Sequence, residues 1–207
     1  MYTVKTPLLV KALYADLTWN FSRKTNDVFL TFDDGPHPQI TGEVISHLAK
    51  ANAKATFFCV GANIEKHPGT FQQLLAENHS VGNHTYDHMN GWKNSNRQYF
   101  RSIVKCKKLV STSLFRPPHG KITRAQARMV RKKFNIIMWD VLSADFDKTV
   151  SKEKCVDNVI KNIQPGSVVV FHDSEKAAEK MLYALPRVLD YIQEKKWNMK
   201  EIPMSKR

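Results

Sequence analysis

Val28-Phe29-Leu30-Thr31-Phe32-Asp33-Asp34-Gly35-Pro36 is the stretch on which the reading of this chain turns. Its first five residues are β-branched, aromatic or aliphatic without polar alternation. That is the pattern of a short strand buried on both faces, as in a parallel sheet. Asp33 and Asp34 end the run, and Gly35-Pro36 turns the chain. Adjacent carboxylates repel, and at a buried strand end at least one needs a cation or hydrogen-bond donors to stay ionised. Aspartate is also an ordinary turn former, so this stretch alone leaves a turn and a charged site both open.

Downstream, Ile40, Val44, Ile45, Leu48 and Ala49 recur at helical spacing, which predicts a helix to about residue 51. Residues 55–60 read as a second buried strand and 64–77 as a helix. The short run 80–83 leads into His84, and residues 97–110 read as a helix with a basic outer face. Leu114 and Phe115 begin a fourth extended piece that ends in Arg116-Pro117-Pro118-His119-Gly120. Thr123 with Gln126 forms a capping box for a helix to about residue 133. Residues 135–142 read as a fifth strand, Ser151 as the cap of another helix, and residues 167–171 as a sixth strand. A last helix carries Met181, Leu185, Val188 and Ile192 and is expected to kink or restart at Pro186. Residues 197–202 supply a seventh strand. Strand and helix alternate throughout, which predicts an α/β fold with a parallel sheet: a distorted, TIM-like (β/α) barrel of about seven parallel strands. An open doubly wound sheet is the alternative, but no Gly-rich phosphate loop follows any strand.

A chain of 207 residues suits one domain, 1–207, with residues 1–26 as an N-terminal packing segment. That segment also reads as an amphipathic membrane-surface helix, with Lys5 and Lys11 at its polar edge. It lacks the marks of a signal peptide. The expected location is therefore cytoplasmic, with peripheral contact at the inner membrane face left open. Cys59, Cys106 and Cys155 are widely spaced and read as reduced, buried thiols. The net charge of +13 favours anionic partners. No nucleic-acid recognition motif accompanies it, so no nucleic acid is expected as a partner.

The ends of the strands carry chemistry. Asp33-Asp34, His84 and His88, Arg116, Asp140 and Asp145, and His172-Asp173 all fall where strands finish, the face on which such barrels build active sites. His84 and His88 are four apart, the spacing of one face of a helical turn. With one carboxylate they make a three-ligand set with open positions, as catalytic metal sites need.

With these residues in place, TFDDGP, HTYDH, RPPHG, the Trp139-x5-Asp145 pattern and VFHD resemble the five ordered motifs of the polysaccharide deacetylase family. This is the NodB-homology group, carbohydrate esterase family 4. The resemblance implies a NodB-like barrel and metal-dependent removal of N-acetyl or O-acetyl groups from an N-acetylated carbohydrate. It implies Asp34, His84 and His88 as ligands of one divalent ion, zinc first, with cobalt, nickel or manganese as substitutes. It implies Asp33 as general base, His172 as general acid, Arg116 as the partner that keeps Asp33 ionised, and Asp145 as the partner that raises the pKa of His172. Trp139 and Val170 would line the acetyl pocket, and Pro118 and His119 would meet the substrate, with the His119 N–H at the oxyanion.

Three positions depart from the family pattern: His119 where tyrosine is usual, Phe146 where tryptophan is common, and Val170 where leucine is common. Other readings also stand. They are a deformylase or deacetylase of a lipid-linked sugar at the inner membrane face, a hydrolase of non-sugar C–N bonds, and a non-catalytic glycan-binding module.

Overall fold

The computed structural model describes residues 2–204. Helices and strands alternate as α1 (Leu8–Leu13), β1 (Asp27–Asp33), α2 (Pro38–Lys50), β2 (Thr56–Cys59), α3 (Gly61–Lys66), α4 (Pro68–Ala76), β3 (Ser80–Asn83), α5 (Asn96–Lys107) and β4 (Leu114–Phe115). They continue as α6 (Arg124–Val130), β5 (Asn135–Ile136), β6 (Val141–Leu142), α7 (Lys152–Ile160), β7 (Val168–His172), α8 (Ala178–Glu194) and β8 (Asn198–Met199). Seven strands follow one path, β5-β4-β3-β2-β1-β7-β6, and β8 adds to the start of β1. Every pairing between them is parallel. The fold is the expected NodB-like (β/α) barrel, left open on one side.

β1 sits in the middle because its sequence leaves it no solvent face. Val28, Leu30 and Phe32 are fully buried, and Phe32 stacks between Phe57 of β2 and Phe171 of β7. Val44 and Leu48 of α2 and Leu185 and Val188 of α8 close over the outside of the same strands. Asp33 lies level with Phe58 of β2 and His172 of β7, so the strand ends that carry polar groups converge.

Residues 135–142 are not one strand. Ile136 pairs with Phe115 on one edge of the sheet, and Val141 pairs with Val169 on the other. Between them the chain crosses the open seam, and there its backbone bonds to the N-terminal segment: Met138 N–H donates to Thr18 O at 2.7 Å, and Thr6 N–H donates to Asp140 O at 3.0 Å. A continuous apolar run could not announce this, because each half is as buried as a strand requires.

Other expectations are corrected by local chemistry. Residues 64–77 hold the end of α3 and all of α4, separated at His67, because Pro68 opens a second helix and disfavours helical geometry in the residue before it. α8 runs through Pro186 without restarting, held by a stripe of fully buried residues that includes Met181, Leu185 and Ile192. His84 and His88 are not on a helical turn: Thr85 and His88 have φ of 62° and 50°, and the segment is an irregular loop. Asp140 does not belong to the functional face. It lies at the opposite end of the sheet beside Ser167, where its buried carboxylate meets Lys5, Lys11 and Arg23. The capping boxes at Ser95 and Thr123 and the cap at Ser151 close their helices as the side chains suggest.

Candidate metal centre and active site

A cavity of about 770 Å³ opens at the C-terminal ends of the strands. Its floor is polar, made by Asp33, Asp34, His84, His88 and His172, and its walls are apolar, with Trp139, Leu142, Phe146 and Val170 on one side. The N-terminal segment contributes Tyr2, Thr6, Pro7 and Val10 to the wall. Nothing in the sequence marks these four for that role.

Asp33 and Asp34 share the cavity because the chain bends between them. Asp34 has φ of 83°, which turns its side chain back toward the one before it instead of to the opposite face. The turn is clamped by Asp173, which accepts from Gly35 N–H at 3.0 Å and from Thr41 Oγ1 at 2.5 Å. A Cβ on Gly35 would sit 2.0 Å from an Asp173 oxygen, so the residue after the two aspartates has to be glycine. Burial pushes the Asp173 carboxyl up to about 7, against the two hydrogen bonds it accepts. Asn63 of α3 donates to Asp34 O at 2.7 Å, and Ser174 Oγ donates to Asp34 Oδ2 at 3.3 Å. Asn63 and Ser174 carry no motif and become visible only in three dimensions.

Asp33 is paired with a fully buried guanidinium. Arg116 Nη1 donates to Asp33 Oδ1 at 2.7 Å and to Thr31 Oγ1 at 2.7 Å. Its Nε and Nη2 donate to the Ile137 and Met138 carbonyls, and its Cζ lies 4.1 Å from the centre of the Phe58 ring. A guanidinium this fully engaged cannot swing away.

Asp34, His84 and His88 bring one ligand atom each within 4.8 Å of one another. His84 Nε2 lies 3.7 Å and His88 Nε2 3.1 Å from Asp34 Oδ1. His84 Nδ1 sits 2.8 Å from the Arg116 carbonyl, which can only accept, so Nδ1 carries the proton and Nε2 presents a lone pair. Burial lowers the His84 pKa to about 4, which keeps the ring neutral as a ligand must be. The Asp34 carboxyl is held well below the usual range: burial opposes ionisation, but the His88, His172 and His84 rings outweigh it. Yet Asp34 Oδ1 is buried and makes no hydrogen bond. A carboxylate oxygen that makes no hydrogen bond, beside the Nε2 lone pair of His84 and 3.1 Å from His88 Nε2, is the donor set of a cation site, and the residues present fit a divalent metal.

On the other side of the cavity, His172 Nδ1 and Asp145 Oδ1 are 2.8 Å apart, and Asp145 Oδ2 accepts from His172 N–H at 2.8 Å. Burial of His172 works against its charged form, but the Asp145 carboxylate, aided by Asp34 and Asp33, pushes its pKa up to about 9. The ring packs edge-on against Phe146 at 5.1 Å.

His119 has φ of 58° and lies edge-on to His88, 4.5 Å between ring centres. The next residue, Gly120, has φ of 66°, and a Cβ there would meet Trp139 at 2.5 Å. Trp139, Val170 and His119 line the cavity; Pro118 does not, being buried at the start of the turn that carries His119.

Residues 22–136 match the family model described as Polysaccharide deacetylase. One relative, a peptidoglycan-N-acetylglucosamine deacetylase of Bacillus cereus, is 36% identical over 155 residues, covering 72% of this chain and 56% of that protein. Another protein of the same description and organism is 30% identical over 180 residues, 84% of each chain. Among solved structures, a peptidoglycan N-acetylglucosamine deacetylase in complex with an N-hydroxybenzamide bearing a naphthalene group superposes with a TM-score of 0.87 at 29% identity, over 97% of this chain and all of that one. The chain thus spans little more than half of the first of these relatives.

Proposed function

The chain belongs to the polysaccharide deacetylase family, and from that premise we propose that it removes acetyl groups from the amino sugars of a glycan in a metal-dependent hydrolysis. The observation that carries the reading is the buried, hydrogen-bond-free Asp34 Oδ1 between two imidazoles, with a locked Asp33–Arg116 pair and a His172–Asp145 pair facing the same cavity.

Asp34, His84 and His88 would hold the divalent ion. When bound, such an ion lowers the pKa of water toward neutrality and polarises the amide carbonyl. Asp33, held in place by its ion pair with Arg116, accepts the proton of the attacking water. His172, kept as imidazolium by Asp145, gives its proton to the nitrogen as the C–N bond breaks, so acetate and a free amine leave. Trp139 and Val170 give the methyl group an apolar seat, and the backbone N–H of His119 is the candidate donor to the carbonyl oxygen. The relatives described as peptidoglycan-N-acetylglucosamine deacetylases support an N-acetylglucosamine glycan as substrate class. The full set of acid, base and ligands supports an enzyme over a glycan-binding module.

Acetate release from N-acetylglucosamine oligomers, before and after chelation, tests this. We expect turnover with metal, its loss on chelation, and recovery with zinc, cobalt, nickel or manganese. Turnover that survives thorough chelation would remove the metal from the reaction. No turnover of N-acetylated, O-acetylated or N-formylated sugars with any of these metals would remove the hydrolase.

A further inference from the structure

The first helix of the chain is inside out. Around α1, Leu8, Leu9, Ala12 and Leu13 fall on one stripe, and the stripe faces away from the protein: Leu8 is 83%, Leu9 70% and Leu13 61% exposed. The helix's only charged residue points the other way. Lys11 Nζ donates to Asn20 Oδ1 at 3.0 Å and reaches the buried Asp140 carboxylate. Val10, half-buried, turns toward the candidate active-site cavity. A helix resting on a protein core buries its apolar stripe and shows its charges. Here the order is reversed, and the sequence expectation of Lys5 and Lys11 at an outer polar edge is overturned: both are spent on Asp140.

The stripe has a basic border. Leu13 and Tyr14 share a small surface cleft with Asp16, which pairs with Arg131, and with Arg124 and Arg128 of α6, both exposed; the Arg124 guanidinium lies 6.0 Å from the Tyr14 ring centre. An apolar protrusion edged by cations suits an anionic lipid surface, where leucines enter the acyl boundary and arginines meet headgroup phosphates. Flexible aliphatic side chains offer a sugar no flat face. A second copy of a chain carrying +13 repels the first. No helix among the described residues is long and apolar enough to cross a membrane, so seating is at the surface.

We propose that α1 docks the protein on an anionic bilayer, which places the cavity wall formed by Pro7 and Val10 at the lipid boundary. Docking stands apart from the deacetylase reading, and one experiment reads both. Co-sedimentation is measured with vesicles of phosphatidylglycerol mixed into phosphatidylcholine, and with phosphatidylcholine alone. The wild type is compared with a Leu8→Asp/Leu9→Asp variant and an Arg124→Gln/Arg128→Gln variant. All four side chains are exposed, so the melting temperature should not move.

Wild type should partition about tenfold better onto the anionic vesicles, and raised salt should weaken that binding. The leucine variant should lose about tenfold and the arginine variant a smaller factor. Deacetylation of soluble oligomers should be unchanged in the leucine variant. Equal binding by wild type and the leucine variant, or no preference for anionic vesicles, overturns the proposal. So does a wild type that ignores vesicles but self-associates through these leucines, which would make the occupant a second copy. Vesicle binding by a protein that hydrolyses no sugar would sink the functional reading and leave the docking intact.

Discussion

Two aspartates at opposite ends of the same sheet, Asp140 buried and Asp34 half-buried, show how one side chain serves two ends. Asp140 is saturated: Lys5, Lys11, Arg23 and Ser167 all donate to its two oxygens. Asp34 is left short: Ser174 reaches Oδ2, while the buried Oδ1 lies 3.1 Å from His88 Nε2 without making a hydrogen bond. Both carboxyls are pulled well below the usual range, each against its own burial: Asp140 by Lys11, Lys5, Ser167 and Arg23, Asp34 by the His88, His172 and His84 rings. A buried charge whose every lone pair is answered ties elements together. One that is unanswered, among other lone pairs, is arranged for an ion that the chain does not itself supply.

The widest break in that comparison is at Asp34. Asp34→Asn removes one of three ligands and should weaken metal binding by more than the 10–100-fold typical of changes outside the ligand set, with activity lost alongside. Asp33→Asn should leave metal binding nearly intact and lower turnover by about 10²–10⁴-fold, the usual worth of a general base. Calorimetric metal titration, with turnover at saturating metal, separates the two. If the Asp33 variant loses the metal and the Asp34 variant keeps it, the roles are exchanged. If both variants bind metal and turn over normally, the acidic pair is only a turn.

At the other end of the sheet the effect moves from chemistry to stability. Asp140→Asn leaves three cations facing a neutral amide. Breaking a buried ion pair costs about 3–5 kcal/mol, and the lower figure applies because Lys5 and Arg23 remain about one-third exposed. For a chain of this length that lowers Tm by about 10 °C. The folded-state carboxyl lies below its unfolded value, so its stabilisation is present at neutral pH and lost as the solution is acidified through the folded value. Thermal melts of wild type and variant should therefore converge in acid, while kcat of the folded variant at neutral pH stays near wild type. A variant that melts normally but cannot turn over would place Asp140 with the chemistry after all.

The difference between the two aspartates was half legible in the sequence. At β1 the apolar run, the adjacent aspartates and Gly35-Pro36 announce a strand end carrying charge. His84, His88 and His172 follow at further strand ends, so parallel topology alone brings them together. Asp140 misleads because residues 135–142 look like one strand whose end it approaches. In fact the chain crosses the seam there, and whether it does depends on what Thr18 and Thr6 offer from more than a hundred residues away. The same distance hides the partners of Lys5 and Lys11, which on their own segment look like a solvent-facing edge. Asn63 and Ser174 are hidden for a plainer reason: a single amide and a single hydroxyl have no pattern until the loop they brace is folded.

The smallest effect sharpens the functional end of the comparison. His172 differs from Asp34's other neighbours in having its own carboxylate, Asp145, at 2.8 Å, and its pKa is pushed up to about 9 despite burial. Asp34 and Asp33 also pull in that direction, but a cation on Asp34 offsets that carboxylate, so Asp145 carries the shift in the loaded enzyme. An acid must hold its proton, and activity falls as pH rises through its pKa. Asp145→Asn keeps a group that can face the ring but removes the charge, so the alkaline limb of kcat/KM should move to lower pH. If the ring returns toward its ordinary value near 6.5, roughly a quarter of it is protonated at pH 7 against nearly all in the wild type, which is only about a fourfold loss. The loss grows with pH up to the wild-type limb, and that growth distinguishes a lost charge from a lost orientation, which would lower the whole profile without moving it. An alkaline limb that stays in place in the Asp145 variant would take the His172–Asp145 pair out of the proton transfer.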